Sequence, residues 1–255
     1  MTFRHLLFFA SALALVSLVA WLAQQQPSSG DPVLSSSGPP SLAAQPAPGP
    51  APSPAVPTVP ASPVAAGPAA PSVDAGWVRR TAAASGVPEV AVAAYARAVL
   101  AAPKSCGLGW TTLAGIGWIE SQHGTIGGRT LSADGRPSSP ILGPALDGTG
   151  PVAAIRATAA STALHGDPEW DHAVGPLQFI PSTWETWARD GDGDGTADPQ
   201  DLDDAAAAAA AYLCATGQDL TTGPGWSAAV YAYNHSATYV SSVYLAATTY
   251  ADRTR

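Results

Sequence analysis

The chain has 255 residues and a formal net charge of −8, with 19 Asp and Glu against 11 Lys and Arg. That balance, with no Lys/Arg cluster or basic stripe anywhere, excludes nucleic acid as a partner. Much of the acidity is local: seven aspartates fall between Asp190 and Asp204, which marks a site more than a uniformly repulsive surface.

Residues 1–23 open with the charged MTFRH and continue as LLFFASALALVSLVAWLA, eighteen apolar or small residues without a charge. This is the pattern of an export signal. The run is longer than an ordinary signal core, sits at the lower edge of what spans a bilayer, and lacks a clean small-x-small cleavage site. Both a cleaved signal peptide and an uncleaved membrane anchor therefore stay open. No cysteine follows, which excludes a lipoprotein. Residues 24–75 are dominated by Pro, Ala, Ser and Gly, as in PPSLAAQPAPGPAPSPAVPTVPASPVAAGPAAP. Such a segment buries too little apolar surface to fold, and its prolines favour extended polyproline II. It reads as a disordered spacer that reaches on the order of 100 Å when extended. Residues 76–255 carry all but one of the eight tryptophans and all seven tyrosines, and are expected to form one domain with its own core.

Only Cys106 and Cys214 occur. An export signal would place both outside the cytoplasm, where an even pair most simply forms one disulfide. Neither has a C-x-x-C partner, so a zinc site is not expected.

In chain order, VPEVAVAAYARAVLAA predicts a helix over 87–102, closed by Pro103. A second is predicted from Trp110 to Gln122, stopped by Gly124. Leu113, Ile116, Gly117 and Glu120 share one of its faces. Residues 124–175 are rich in Gly, Pro, Ser and Asp and read as a long irregular region around a short helix at 151–164. Ser182 and Glu185 match the S-x-x-E capping box and place a helix start at Ser182. Further helices are expected from Asp203 through the alanine run to Gly217, from Trp226 to Tyr233, and through SATYVSSVYLAATTYADR. No alternating strand pattern exceeds a few residues. The fold class is mainly α.

The chain has four glutamates. Glu89 sits in a first helical turn, Glu185 completes the capping box and Glu169 lies in the polar loop HGDPEWD. Glu120 alone, in GWIESQHG, stands among apolar neighbours without such a reason. A carboxyl desolvated without a cationic partner has a raised pKa and holds its proton near neutrality. Enzymes that break glycosidic bonds use such an acid on the leaving oxygen. The plainer alternative is a helix-end glutamate bonded to backbone.

Two other stretches accompany it. In AVGPLQFIPSTW, Gly175 and Pro176 shape a turn that presents Gln178. In VYAYNHSATYV, Tyr233 and Asn234 stand where one helix stops and another starts. Taken in order, the three resemble the lytic murein transglycosylases, in particular the lytic transglycosylase B-like group of actinobacterial type, over about 106–250. The resemblance implies a lysozyme-like, mainly helical catalytic domain that cleaves the bond between N-acetylmuramic acid and N-acetylglucosamine in peptidoglycan, leaving a 1,6-anhydro end. It implies Glu120 as the catalytic acid, Gln178, Tyr233 and Asn234 as substrate-binding residues, and Ser121 as a hydrogen-bonding neighbour of Glu120 on the substrate side. It also implies a place outside the cytoplasm, in the cell envelope. Phe179 and Trp184 are assigned to the core, while Trp118 is open between packing and sugar contact. Where relatives carry an Asp/Gly-rich stretch before the Gln motif, this chain has RATAASTALHGDPEWDH.

RDGDGDGTADPQD matches an EF-hand loop, with Asp190, Asp192 and Asp194 at positions 1, 3 and 5 and Gly195 at position 6. The Thr196 carbonyl takes position 7, Asp198 position 9, and Asp201 replaces the usual glutamate at 12. A structural Ca2+ is expected there, and no organic cofactor. His123, His165, His172 and His235 lack metal spacing and read as surface or turn residues. The rival readings are a lysozyme-type hydrolase, which needs a second carboxylate from Asp147, Asp167 or Asp171, and a catalytically silent wall-binding module.

Overall fold

A computed structural model describes residues 70–149 and 153–255. The expected signal or anchor (1–23) and the proline-rich stretch up to residue 69 lie outside the described residues. Among the described residues no helix is long and apolar enough to cross a membrane. The architecture is mainly helical, as expected, with eight α-helices and one two-stranded ribbon among the described residues.

Helix α1 (Ala75–Ser85), which the sequence reading did not single out, starts where the Asp74 side chain accepts the Trp77 N–H at 2.6 Å. It stops at Gly86, whose left-handed backbone is cheap only for glycine. Helix α2 (Glu89–Ala101) follows Pro88 and buries Ala91, Val92, Ala94, Tyr95 and Ala98. After a 3-10 turn at Lys104–Cys106 comes α3 (Trp110–Ser121), buried from Thr112 to Gly117. Two glycines let neighbours close on α3. A Cβ at Gly115 would lie 2.8 Å from the Val243 carbonyl oxygen, and one at Gly117 would lie 2.0 Å from the Tyr95 hydroxyl.

The region expected to be irregular contains an antiparallel ribbon of β1 (Leu142–Ala145) and β2 (His172–Val174), with an irregular register between Leu142↔Val174 and Ala145↔His172. The helix expected at 151–164 is shorter and later: α4 (Ala159–His165), started by a Thr158/Ser161 capping box. Helix α5 (Pro181–Trp187) corrects the predicted start. Ile180 is the N-cap and Pro181 the first helical residue, so Ser182 lies inside the first turn and caps nothing. The fixed φ of proline suits that first position and overrides the capping-box spacing.

Helix α6 (Leu202–Ala215) is capped by Asp201, whose side chain accepts the Asp203 N–H. Its alanines are mostly buried, which allows close approach to α2. Helix α7 (Gly223–Tyr233) begins a turn before Trp226, capped by Thr222, and α8 (Ala237–Arg253) is capped by Ser236. Helix α8 packs along α3. Cys106 and Cys214 form the expected disulfide, joining the turn after α2 to the end of α6 across 108 residues of sequence.

Candidate active site and aspartate loop

The last turn of α3 delivers Glu120, and the chain then leaves the helix through three consecutive left-handed residues, Gln122 (φ 54°), His123 (φ 61°) and Gly124 (φ 86°). The His123 N–H bonds back to the Gly117 carbonyl at 2.8 Å, so the turn closes tightly at the glutamate. Ser121 is fully buried. Its hydroxyl donates to the Pro176 carbonyl at 2.5 Å and accepts the Gly124 N–H at 2.8 Å. Ser121 therefore clamps the end of α3 to the Gln motif and does not face substrate, which corrects its expected role.

The Gln motif is a tight turn held by mutual backbone bonds between Val174 and Phe179, with Gln178 at φ 50°. Gln178 donates through Nε2 to the Gly175 carbonyl at 2.9 Å. Glu120, Gln178, Tyr233 and Asn234 come together around one cleft of about 230 Å3. Leu146, Phe179 and Tyr212 complete much of its wall. Phe179 and Trp184 are buried as expected, while Trp118 is partly exposed on α3 beside the His123 ring and does not line the cleft.

The two tyrosines of the wall are fixed by their hydroxyls. Tyr233 donates to the Leu177 carbonyl at 2.8 Å, and Tyr212 donates to the Ala232 carbonyl at 2.7 Å. Their rings meet edge to face, 5.6 Å apart. Tyr233 lines the cleft, and its buried hydroxyl is pushed to a high pKa by desolvation and by the nearby Glu120 charge.

Glu120 has one side-chain partner. The buried Tyr239, on the first turn of α8, donates to Glu120 Oε1 at 2.6 Å. Desolvation raises the Glu120 pKa to about 7, against the pull of the Tyr239 hydrogen bond, which favours the carboxylate. Among the described residues no Lys or Arg lines the cleft, and Glu120 is its sole carboxyl. The group is poised between acid and base near neutral pH, which suits general acid catalysis. Tyr239 and Tyr212 escaped the sequence reading, since aromatic residues at helical spacing read as core.

The candidate second carboxylates are used elsewhere. Asp147 binds Thr149, Asp167 binds His172 and backbone N–H groups, and the buried Asp171 pairs with His165. Three histidines read as surface or turn residues are corrected too. His123 is buried between the hydroxyls of Tyr95 (3.0 Å) and Tyr250 (2.9 Å), and burial drives its pKa down to about 3. The His165 side chain is fully buried and that of His172 largely so. His235, in the turn after α7, meets the Tyr231 ring edge to face.

The aspartate loop connects α5 to α6. Asp190 accepts the N–H groups of Gly193 and Gly195, Asp192 that of Asp194, and Asp194 that of Thr196. Carboxylate oxygens of Asp190, Asp192 and Asp204 lie within 4.8 Å of one another. Desolvation and mutual repulsion raise the pKa of Asp192, and that of Asp204 to about 7. This all-oxygen, charge-crowded donor set fits a hard divalent cation. Asp204 lies in the first turn of α6, outside the EF-hand spacing. Positions 9 and 12 are differently employed, since Asp198 pairs with Arg136 and Asp201 caps α6 with Arg136 Nε 3.7 Å away.

Residues 159–230 match the family described as the Transglycosylase SLT domain. That span holds Gln178, the aspartate loop and Tyr212. Two solved structures are similar to the chain. The Escherichia coli lytic transglycosylase SLT35 in complex with bulgecin A is 15% identical, with 72% of this chain and 76% of that chain covered and a TM-score of 0.43. The same enzyme in complex with calcium is 16% identical, with coverage of 72% and 77% and a TM-score of 0.43. No curated protein matches the chain.

Proposed function

We propose that this chain, whose residues 159–230 match the transglycosylase SLT domain, is a lytic transglycosylase that cleaves the MurNAc-GlcNAc β-1,4 bond of peptidoglycan and closes a 1,6-anhydro ring. The observation that carries this reading is Glu120 as the sole carboxyl among the described residues of the cleft. One carboxyl suffices when the nucleophile belongs to the substrate. Protonated Glu120 gives its proton to the glycosidic oxygen as the C1–O bond breaks. The resulting carboxylate takes the proton of the muramoyl C6 hydroxyl, whose oxygen bonds to C1. No water is consumed, and Glu120 ends protonated as it began.

Tyr239 holds the carboxyl in place through both steps, Gln178 and Asn234 offer amide groups to the sugar, and the Tyr233 ring forms an apolar floor. Cleavage in 18O-labelled water tests the scheme: the new end carries no label and is one water lighter than a hydrolysis product. Incorporated label would assign a hydrolase. With glycan strands as substrate, the protein works outside the cytoplasm, in the cell envelope. The aspartate loop is proposed to hold a structural Ca2+ through Asp190, Asp192 and Asp204, where the ion would neutralise the carboxylates that α5 and α6 bring together.

A further inference from the structure

We propose that His172 is a positioning residue for the glycan-binding wall, clamping β1 behind Gln178 only while its imidazole carries both protons; this rests on the reading of the cleft as the glycan site. His172 stands at the start of β2. Its Nδ1 lies 2.8 Å from the Gly143 carbonyl oxygen and its Nε2 lies 3.1 Å from Asp167 Oδ2. A carbonyl oxygen only accepts. The Asp167 carboxylate also only accepts, because the Glu169 N–H, then His172 and the Trp170 N–H, hold its pKa down to about 2. A neutral imidazole has one N–H and serves one of these partners, whereas imidazolium serves both. Turning the ring over does not help, since it puts carbon where a nitrogen stood.

The clamped strand is in direct contact with the cleft. A Cβ at Gly143 would lie 2.8 Å from Gln178 Oε1 and 3.3 Å from the Ala173 Cβ, and both Gln178 and Ala173 line the cleft. The order Asp167, His172, Gly143, Gln178 thus runs from the outer loop to the sugar-facing amide.

The titratable surroundings are few. Helix α4 brings His165, whose ring centroid is 5.0 Å from that of His172 and whose Nε2 faces Asp171. The loop brings Asp167 and Asp171, while Arg156 is occupied by Glu169 and stacks on Trp170. Strand β1 has no titratable residue, and α5 carries only the exposed Glu185. Burial works against a charged His172, but the Gly143 carbonyl and the Asp167 and Asp171 charges outweigh it, and the His172 pKa is raised above its usual 6.5. A raised folded-state pKa means the clamp is complete below about pH 6.5 and is lost as pH rises through the raised value.

The test is made on the full-length chain with soluble glycan strands, reading KM and kcat separately from mildly acidic to mildly alkaline pH. Wild-type KM is expected to rise by ~3- to 10-fold as His172 loses its proton, the size of one ordinary hydrogen bond. His172→Arg, a permanent cation, keeps KM low across the range, and His172→Gln shows the raised KM at every pH. The kcat limb set by Glu120 remains in all three. Wild type and His172→Arg sharing one KM curve, or His172→Gln matching wild type at low pH, would overturn the clamp. Independently of activity, the imidazole NMR signal missing from His172→Gln is expected to titrate above pH 6.5 in wild type; titration at or below that value overturns the proposal. If wild type cleaves no glycan, the functional reading fails, and the NMR titration still decides the clamp.

Discussion

Glu120 is pulled in two directions by its surroundings. Desolvation favours the acid and the Tyr239 hydroxyl favours the carboxylate, with desolvation dominant. Tyr239→Phe removes the second influence, so the Glu120 pKa climbs and its proton is kept to higher pH. The alkaline limb of kcat is expected to move upward by roughly half to one pH unit, equivalent to one hydrogen bond. A limb that stays put or moves down in a kcat–pH profile would show that the hydroxyl does not tune the acid. Glu120 stands out in the sequence because the other three glutamates sit in polar or helix-start patterns, even though the capping box that accounted for Glu185 does not form. Tyr239 does not, because its contact with Glu120 spans 119 residues and no local pattern encodes it. His123 was misread for a related reason. A turn position after a helix usually faces water, but here a left-handed run folds the ring inward between Tyr95 and Tyr250.

At the scale of elements, the aspartate loop separates two jobs that its sequence pattern merges. Asp190, Asp192 and Asp204 converge on one point, while Asp201 caps α6. Ca2+ is therefore expected to raise the melting temperature of the wild-type chain, and Asp204→Asn to abolish that increment. Asp201→Ala is expected to cost about 1 kcal/mol of cap stability with or without calcium and to keep the increment. Thermal melts in calcium and in chelator check this; loss of the increment in Asp201→Ala but not in Asp204→Asn would return the site to the EF-hand spacing. The helices themselves were legible where composition and punctuation agreed, as in α2 between Pro88 and Pro103. They slipped where two start signals competed: Pro181 at the first helical position of α5 displaced the Ser182/Glu185 box. The β1–β2 ribbon had no signature, since three or four residues are too few to show alternation and its two strands lie far apart in sequence.

For the molecule as a whole, the cleft is assembled from segments far apart in sequence: the end of α3, the Gln motif, α6 and the α7–α8 junction. The Cys106–Cys214 bond ties the approach to α3 to the end of α6. Closing a loop of that size restricts the unfolded chain, and replacing both cysteines by serine is expected to cost about 2–5 kcal/mol in denaturant unfolding. An unchanged midpoint would mean that packing alone holds these segments. The most direct test of the proposed chemistry is mass spectrometry of the muropeptides released from purified peptidoglycan by the full-length chain and by Glu120→Gln. Anhydro-ended products from wild type that vanish in Glu120→Gln are the expected result. Reducing ends from wild type, or anhydro products that persist without the Glu120 carboxyl, would contradict a single-carboxyl transglycosylase.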